Sequence, residues 1–298
     1  MRAAITGGAG FVGRHLAEHL ETAGDNVVAL GPEVDVTDPD AILTAIEAAR
    51  PDAVYHLAGV SHVGDSWDAP ARVFRVNAEG TLNTLRACAA ASVDRVLVVG
   101  SADEYGIVTE ADLPLTESAP LRPVTPYAAS KVAAEFLTLQ AFLGDGLGAI
   151  AVRAFNHTGP GQSDRFVVPA IASRIAAAEK TGDRRLPLGS LDAVRDFTDV
   201  RDVVRAYRLL VERGQPGEVY NVCSGRGVSV GEMVATMVAA TGAQLEVVID
   251  PGLVRPIEIP RLVGDAGRLR DATGWEPQIP LDQTLRDVLA SARAEVAR

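Results

Sequence analysis

Long apolar stretches are missing from this chain. Hydrophobic residues make up 47% of its 298 positions, but no run of eighteen apolar residues occurs, so a spanning helix is excluded and a soluble protein with no membrane partner is expected. Cysteine is scarce. Cys88 and Cys223 lie far apart with nothing beside them that suggests a metal or redox pair, and they read as buried free thiols. Positive charge is in deficit, with 28 Lys and Arg against 39 Asp and Glu and a formal charge of −11. Nucleic acid and anionic membranes both need a basic surface to displace counterions, so neither is an expected partner; small anions remain within reach of local arginines. The five histidines show no metal-ligand spacing. No metal site is expected, and His15 and His19 read as outward residues of a first helix. There is no internal repeat and no low-complexity tract. MRAAITGGAGFVG turns glycine-rich where a signal peptide needs its apolar centre, which points to a cytoplasmic location.

What the chain does have is alternation. RAAIT (2–6), NVVAL (26–30), DAVYHLA (52–58), RVLVVG (95–100) and GAIAVRA (148–154) read as buried strands, with helical segments near 39–49, 69–91 and 126–143 between them. Strands alternating with helices imply a parallel sheet covered on both faces. After about residue 155 the pattern loosens, with helices near 166–180, 200–213 and 229–241 and one strand, EVYNV (218–222), that returns to the sheet. The expected fold is α/β: a Rossmann-type doubly wound parallel sheet with a smaller C-terminal substrate-binding lobe. The dinucleotide-binding domain takes 1–155 and a return segment near 192–222; the lobe takes 156–191 and 223–298.

GGAGFVG sits between the first strand and the first helix. Glycines permit the tight turn and the close approach of a pyrophosphate, and the helix N-terminus attracts its charge. The spacing is GxxGxxG, weak alone and strengthened by its position between strand and helix. Gly7, Gly10, Phe11, Val12 and Gly13 are therefore the expected cofactor cradle. The end of the second strand has Gly31 and Pro32 where an NAD-preferring site has an acid. A 2′-phosphate is thus not repelled there, and Arg14 is the nearest cation that could reach it. Asp35 and Val36 of DVTD are expected to border the adenine. NADP(H) is favoured, with NAD(H) as the alternative.

Proline 126 opens a helix on which Tyr127 and Lys131, four positions apart, share one face. A phenol with an ordinary pKa near ~10 is a poor acid or base at neutral pH unless a cation stabilises its anion, and Lys131 provides one. Ser101 stands at the carboxyl end of RVLVVG, where a group that holds the reacting oxygen belongs. A buried Tyr, a surface Lys and a capping Ser are the bland alternative; their order behind a dinucleotide loop favours a catalytic set.

GGAGFVG, HLAGVSHVGDSW, RVNAEGT, GSADEYG, PYAASK, RAFNHTGPGQ, RDFTDVRDV and RPIEIPRLVGD occur in the order found in the extended short-chain dehydrogenase/reductase family of nucleotide-sugar-modifying enzymes. The chain resembles that family over nearly its whole length, and most closely its GDP-mannose branch of dehydratases and reductases. The resemblance implies that Leu57, Ala58, Gly59 and Asn77 contact the cofactor, that Lys131 also binds the nicotinamide ribose, and that the loop after Arg153 borders the nicotinamide. It further implies that Asn156, Val167 and Glu258 contact substrate and that Arg195 and Arg255 hold its nucleotide phosphates.

Within this branch, Ala102 and Asp103 stand where dehydratases carry acid/base groups. One carboxylate is missing and the other is a methylene shorter, although Asp103 and Glu104 also read as a solvated loop pair. Elimination of water needs both groups, whereas reduction of a ketone needs one proton and one hydride. The chain's length, too, resembles the shorter reductases. The expected activity is NAD(P)H-dependent reduction of the C4 ketone of a nucleotide-linked 4-keto-6-deoxyhexose, with Ser101, Tyr127, Lys131 and Asp103 as the catalytic residues and a GDP-sugar the favoured substrate. The sugar expected is GDP-4-keto-6-deoxy-D-mannose, giving GDP-D-rhamnose or its C4 epimer. A 4,6-dehydratase or 4-epimerase is the nearest rival, and a non-catalytic dinucleotide sensor a more distant one. A homodimer packed through the helices near 69–91 and 126–143 is expected.

Overall fold

The computed structural model describes residues 1–298 except Ala243, residues 254–258 and Arg298. The chain begins with β1 (Arg2–Thr6), α1 (Phe11–Thr22), β2 (Asn26–Leu30), α2 (Pro39–Ala49) and β3 (Ala53–His56). Two short helices, α3 (Asp65–Asp68) and α4 (Pro70–Phe74), lead through a π-helical turn (Arg75–Glu79) into α5 (Gly80–Ala90); then come β4 (Arg95–Val99), the long α6 (Pro126–Asp145) and β5 (Ala149–Ala154). The remainder is β6 (Asn156–Thr158), α7 (Val167–Thr181), β7 (Arg185–Leu188), β8 (Val194–Asp199), α8 (Val200–Arg213), β9 (Val219–Val222), β10 (Gly227–Ser229), α9 (Val230–Ala239), β11 (Glu246–Ile249), β12 (Arg261–Leu262), α10 (Gly267–Thr273) and α11 (Leu281–Val296).

Six strands form one parallel sheet in the order β2-β1-β3-β4-β5-β9. The direction of winding reverses between β1 and β3, and at such a switch point the loops on the two sides part and leave a crevice. Register aligns the carboxyl ends: Thr6 pairs with Leu30 on one side and with His56 on the other. The inner strands are mostly apolar because both faces are covered. On one face Leu16 and Leu20 of α1 pack with Val203, Tyr207 and Leu210 of α8, and on the other Ile42 and Ile46 of α2 pack with Leu85 and Cys88 of α5.

Local sequence sets where the helices begin. Thr125 caps α6 by accepting from the Ala128 N–H at 3.0 Å, and Pro126 fills the first helical position, where a missing N–H costs nothing. Asp38 caps α2 in the same way, accepting from Asp40 and Ala41.

The lobe has its own core, built from α7, α9, α11 and β7 around Ile171, Ile175, Leu188, Met233 and Leu289. Its strands are short: β8 pairs with β10, β12 and β6, and β7 with β11. One outcome differs from the sequence reading: the stretch near 69–91 is two helices joined by a π turn. The strand expected to return, EVYNV, joins the main sheet as β9, while β8 stands in the second sheet. Both cysteines are fully buried. His15 does not point outward: its Nε2 lies 3.0 Å from the Pro160 carbonyl, tying α1 to the loop after β6.

Candidate active site

A cavity of about 1000 Å³ opens at the carboxyl ends of β1, β3, β4 and β5 and runs between the sheet and the lobe. Gly7, Gly10, Phe11, Val12 and Gly13 form one wall. Gly7 adopts φ +70, and a Cβ there would stand 2.8 Å from the Ala58 nitrogen, so only glycine lets the loop after β1 lie against the loop after β3. No side chain caps α1. The first-turn N–H groups, which have no intrahelical partner, therefore face the cavity, and this is the chemistry that holds a pyrophosphate.

The end of β2 is not as bare as its sequence reads. Glu33 folds back so that its Oε1 accepts from the Gly31 N–H at 2.8 Å, which puts a carboxylate two residues beyond the expected place. Asp35 and Val36 line the cavity. Asp35 Oδ1 accepts from the Thr37 N–H and hydroxyl at 2.9 and 2.8 Å, and these two bonds, backbone first, hold its carboxyl below the usual range. Arg14 donates to the carbonyls of Ala9 at 2.7 Å and Gly161 at 3.4 Å. It thus braces the glycine loop and is absent from the cavity wall.

Leu57, Ala58 and Gly59 line the cavity; Asn77 stands behind them. The Asn77 Oδ1 accepts from the Val60 N–H at 2.8 Å, and its Nδ2 donates to the Val60 carbonyl at 3.1 Å and to Ser130 Oγ at 2.9 Å. Ser130 in turn donates to the Tyr127 carbonyl at 2.6 Å. The π turn aims Asn77 at this loop, in keeping with the tendency of such turns to occur at functional positions.

Tyr127 and Lys131 lie side by side on the first turns of α6, 7% and 9% exposed, and Ser101 faces the phenol across the cavity. Burial pushes the phenol up, the Asp103 charge pushes the same way, and a hydrogen bond with Ser101 opposes them. Lys131 Nζ donates to the Val99 carbonyl at 2.7 Å. Burial brings its pKa down to about 8, against the pull of Glu104. In this arrangement the downward pull on the phenol comes from Ser101.

Ala102 and Asp103 line the cavity beside Ser101. Glu104, in contrast, is fully buried behind the serine, so a solvated loop pair does not describe it. Asn156, Val167 and Arg195 reach the cavity from the lobe side; Arg255 and Glu258 lie outside the described residues.

Among the lining residues that sequence reasoning missed are His62, Arg165, Arg174 and Tyr207. Arg165 donates to Asp65 at 2.6 Å and lies 3.1 Å from His62 Nδ1, joining the loop after β3 to the start of α7 across the cavity mouth. Tyr207 is buried with its hydroxyl unpartnered. His62 lies within HLAGVSHVGDSW, which marked the stretch but not this residue; Arg165, Arg174 and Tyr207 carry no motif, and only the fold brings them together.

The GDP-mannose 4,6 dehydratase family model matches residues 32–288. The chain is 41% identical, over 98% of its length and 97% of the relative's, to the GDP-6-deoxy-D-mannose reductase of Pseudomonas aeruginosa. The structure of RMD from the same organism, complexed with NADPH, superposes with a TM-score of 0.91 at 40% identity, covering 99% of this chain and all of that one. A Thermus thermophilus UDP-glucose 4-epimerase in complex with NAD gives a TM-score of 0.89 at 30% identity over 98% and 99%.

Proposed function

The chain belongs to the GDP-mannose 4,6 dehydratase family, and from that membership we propose that it reduces the C4 ketone of a GDP-linked 4-keto-6-deoxyhexose with NADPH, NADH being the alternative donor. The observation that carries this reading is the wall beside Ser101. It offers one proton donor, Tyr127, and a single short carboxylate, Asp103, with buried Ala102 where a second acid/base group would serve elimination. The uncapped first turn of α1 and the glycine cradle fit a dinucleotide, which when bound supplies the hydride.

The residues divide the remaining work. The raised phenol of Tyr127 is protonated at neutral pH, as a donor to the C4 oxygen must be. Ser101, which faces that phenol, orients the carbonyl. Lys131, brought to about 8, keeps a charge beside the donor that neutral pH can adjust. Arg195 and Arg174 give the lobe two cations for the nucleotide phosphates. The sheet domain thus takes the dinucleotide and the lobe takes the sugar, in the cytoplasm.

A homodimer through α4, α5 and α6 is part of the proposal. Phe136, Leu139 and Leu143 are exposed along one stripe of α6, and Phe74 is exposed at the end of α4. A monomer by light scattering at micromolar concentration would remove it.

The test of the reaction is product analysis with nicotinamide absorbance on two substrates. GDP-linked 4-keto-6-deoxymannose with NADPH should consume one cofactor per sugar. Rapid conversion of GDP-mannose without net cofactor use would replace the reductase reading with the dehydratase one.

A further inference from the structure

Glu104 has no exposed surface, yet only one of its carboxyl oxygens has a partner. Oε1 accepts from the Ser101 N–H at 2.7 Å, while Ser101 Oγ accepts from the Asp103 N–H at 3.2 Å. Residue 100 leaves room for this contact, since a Cβ on Gly100 would stand 2.4 Å from Oε1. Oε2 receives no hydrogen bond.

Of the cations near it, Lys131 is turned to the Val99 carbonyl, and Arg153, with Nε 4.0 Å from Oε2, has its charge already matched. Arg153 Nε and Nη2 donate to the two oxygens of Glu135, both at 2.7 Å, and Nη1 donates to the Tyr105 hydroxyl and the Glu117 carbonyl, both at 3.0 Å. An ionised Glu104 here would leave a buried carboxylate oxygen with no donor, an arrangement that burial disfavours. A carboxylic acid has instead an O–H to give, and Glu135 is there to accept it.

We propose that Glu104 is a positioning residue for Ser101, acting as an un-ionised acid that links the serine backbone to the Glu135–Arg153 pair. Burial and the Glu135 charge raise its carboxyl well above the usual range, opposed by the Ser101 N–H and Arg153. The charged and titratable groups around it are Glu135, Lys131 and Tyr127 from α6, Arg153 from β5, and Asp103 and Tyr105 from its own turn. Its neutrality matters to the site. An ionised Glu104 would hold a proton more tightly on both the phenol and the lysine, and would repel Glu135.

The positioning role rests on the reductase reading; the protonation state does not, so the test separates them. An infrared difference spectrum of wild type minus Glu104→Gln at neutral pH should show the carbonyl stretch of a protonated carboxylic acid, whatever the reaction. Gln keeps an acceptor for Ser101 and a donor for Glu135, so its kcat should stay within about threefold of wild type. Glu104→Ala should lower kcat about 10²-fold, the scale of a misplaced catalytic group, with the dissociation constant for NADPH unchanged. Glu104→Asp, a methylene short, replaces it if the alanine variant fails to fold. A missing infrared band, a Gln variant as impaired as Ala, or an unimpaired Ala or Asp variant would each overturn the proposal. Wild-type activity on the two substrates of the preceding section tests the reaction itself.

Discussion

His56 Nε2 lies 3.1 Å from Thr81 Oγ1, and the direction of that bond is fixed by its neighbours. Thr81 donates to the Asn77 carbonyl at 2.6 Å, so it accepts from His56 Nε2; the buried neutral ring then presents Nδ1 as an acceptor, to which Thr6 Oγ1 donates at 2.7 Å while accepting from the Ala58 N–H at 3.3 Å. The chain holds a neutral imidazole with its proton on Nε2 between the glycine loop and Asn77. Burial brings the His56 pKa down to about 3, with the Lys131 charge adding to the effect.

The first prediction follows from that histidine. An unfolded chain binds the proton near the ordinary 6.5 and the folded one only near 3, so stability is present in full above 6.5 and is lost as pH falls towards 3. The loss should approach about 5 kcal/mol. His56→Asn should flatten the fall in the urea midpoint between neutral and acid pH; an identical slope in both proteins would count against this account.

Tyr127 and Lys131 should separate by substitution. Tyr127→Phe deletes the proton donor, so kcat should fall by about 10³-fold or more while the dissociation constant for NADPH barely moves. Lys131→Ala should weaken both. With Lys131 at about 8, wild-type kcat should decline as pH rises through that value and the ammonium is lost. A kcat flat to pH 10, or a Phe variant with normal turnover, would sink the proton-donor assignment.

Cofactor choice should turn on Glu33. Gly31 repels nothing, so NADPH should be used at least as well as NADH, but the Glu33 carboxylate at the Gly31 N–H tempers that preference. Glu33→Gln should shift the ratio of dissociation constants towards NADPH by about 3- to 10-fold, more at low salt because the group is exposed. An unchanged ratio would leave Gly31 as the sole cause.

Arg165 bridges two loops at the cavity mouth through half-exposed groups, and such pairs are worth about 0.2–1 kcal/mol. Arg165→Ala should accordingly raise the KM for the nucleotide sugar by no more than about fivefold. The dissociation constant for NADPH should not change. A large loss of NADPH binding would place Arg165 in the cofactor site instead.

The sheet was legible because its inner strands are buried on both faces, which leaves an apolar run such as RVLVV in β4. The second sheet was not, since β10 and β12 span three and two residues and show no period. Tyr127 and Lys131 could be read from spacing because one helix carries both. Glu104 could not: its burial depends on Glu135 and Arg153, which reach it from another helix and another strand. Its one local signal was the Ser101-to-Glu104 capping box. Glu33 escaped notice because its carboxylate acts two residues away from the position where an acid is sought.

The three cores also set a timetable for synthesis. Among the described residues, the core beneath α2, α5 and α6 draws on nothing beyond Ala149; the opposite face of the sheet needs Leu269 and Trp275; the lobe needs Leu285 to Ala292 of α11. Chains emerge from the ribosome N-terminus first and fold unit by unit. The two cysteines report the sequence of events, since Cys88 belongs to the first of these cores and Cys223 to the second. In a nascent chain stalled before Trp275, Cys88 should resist alkylation while Cys223 reacts, and the cleft should acquire its far wall only when the last helix leaves the exit tunnel.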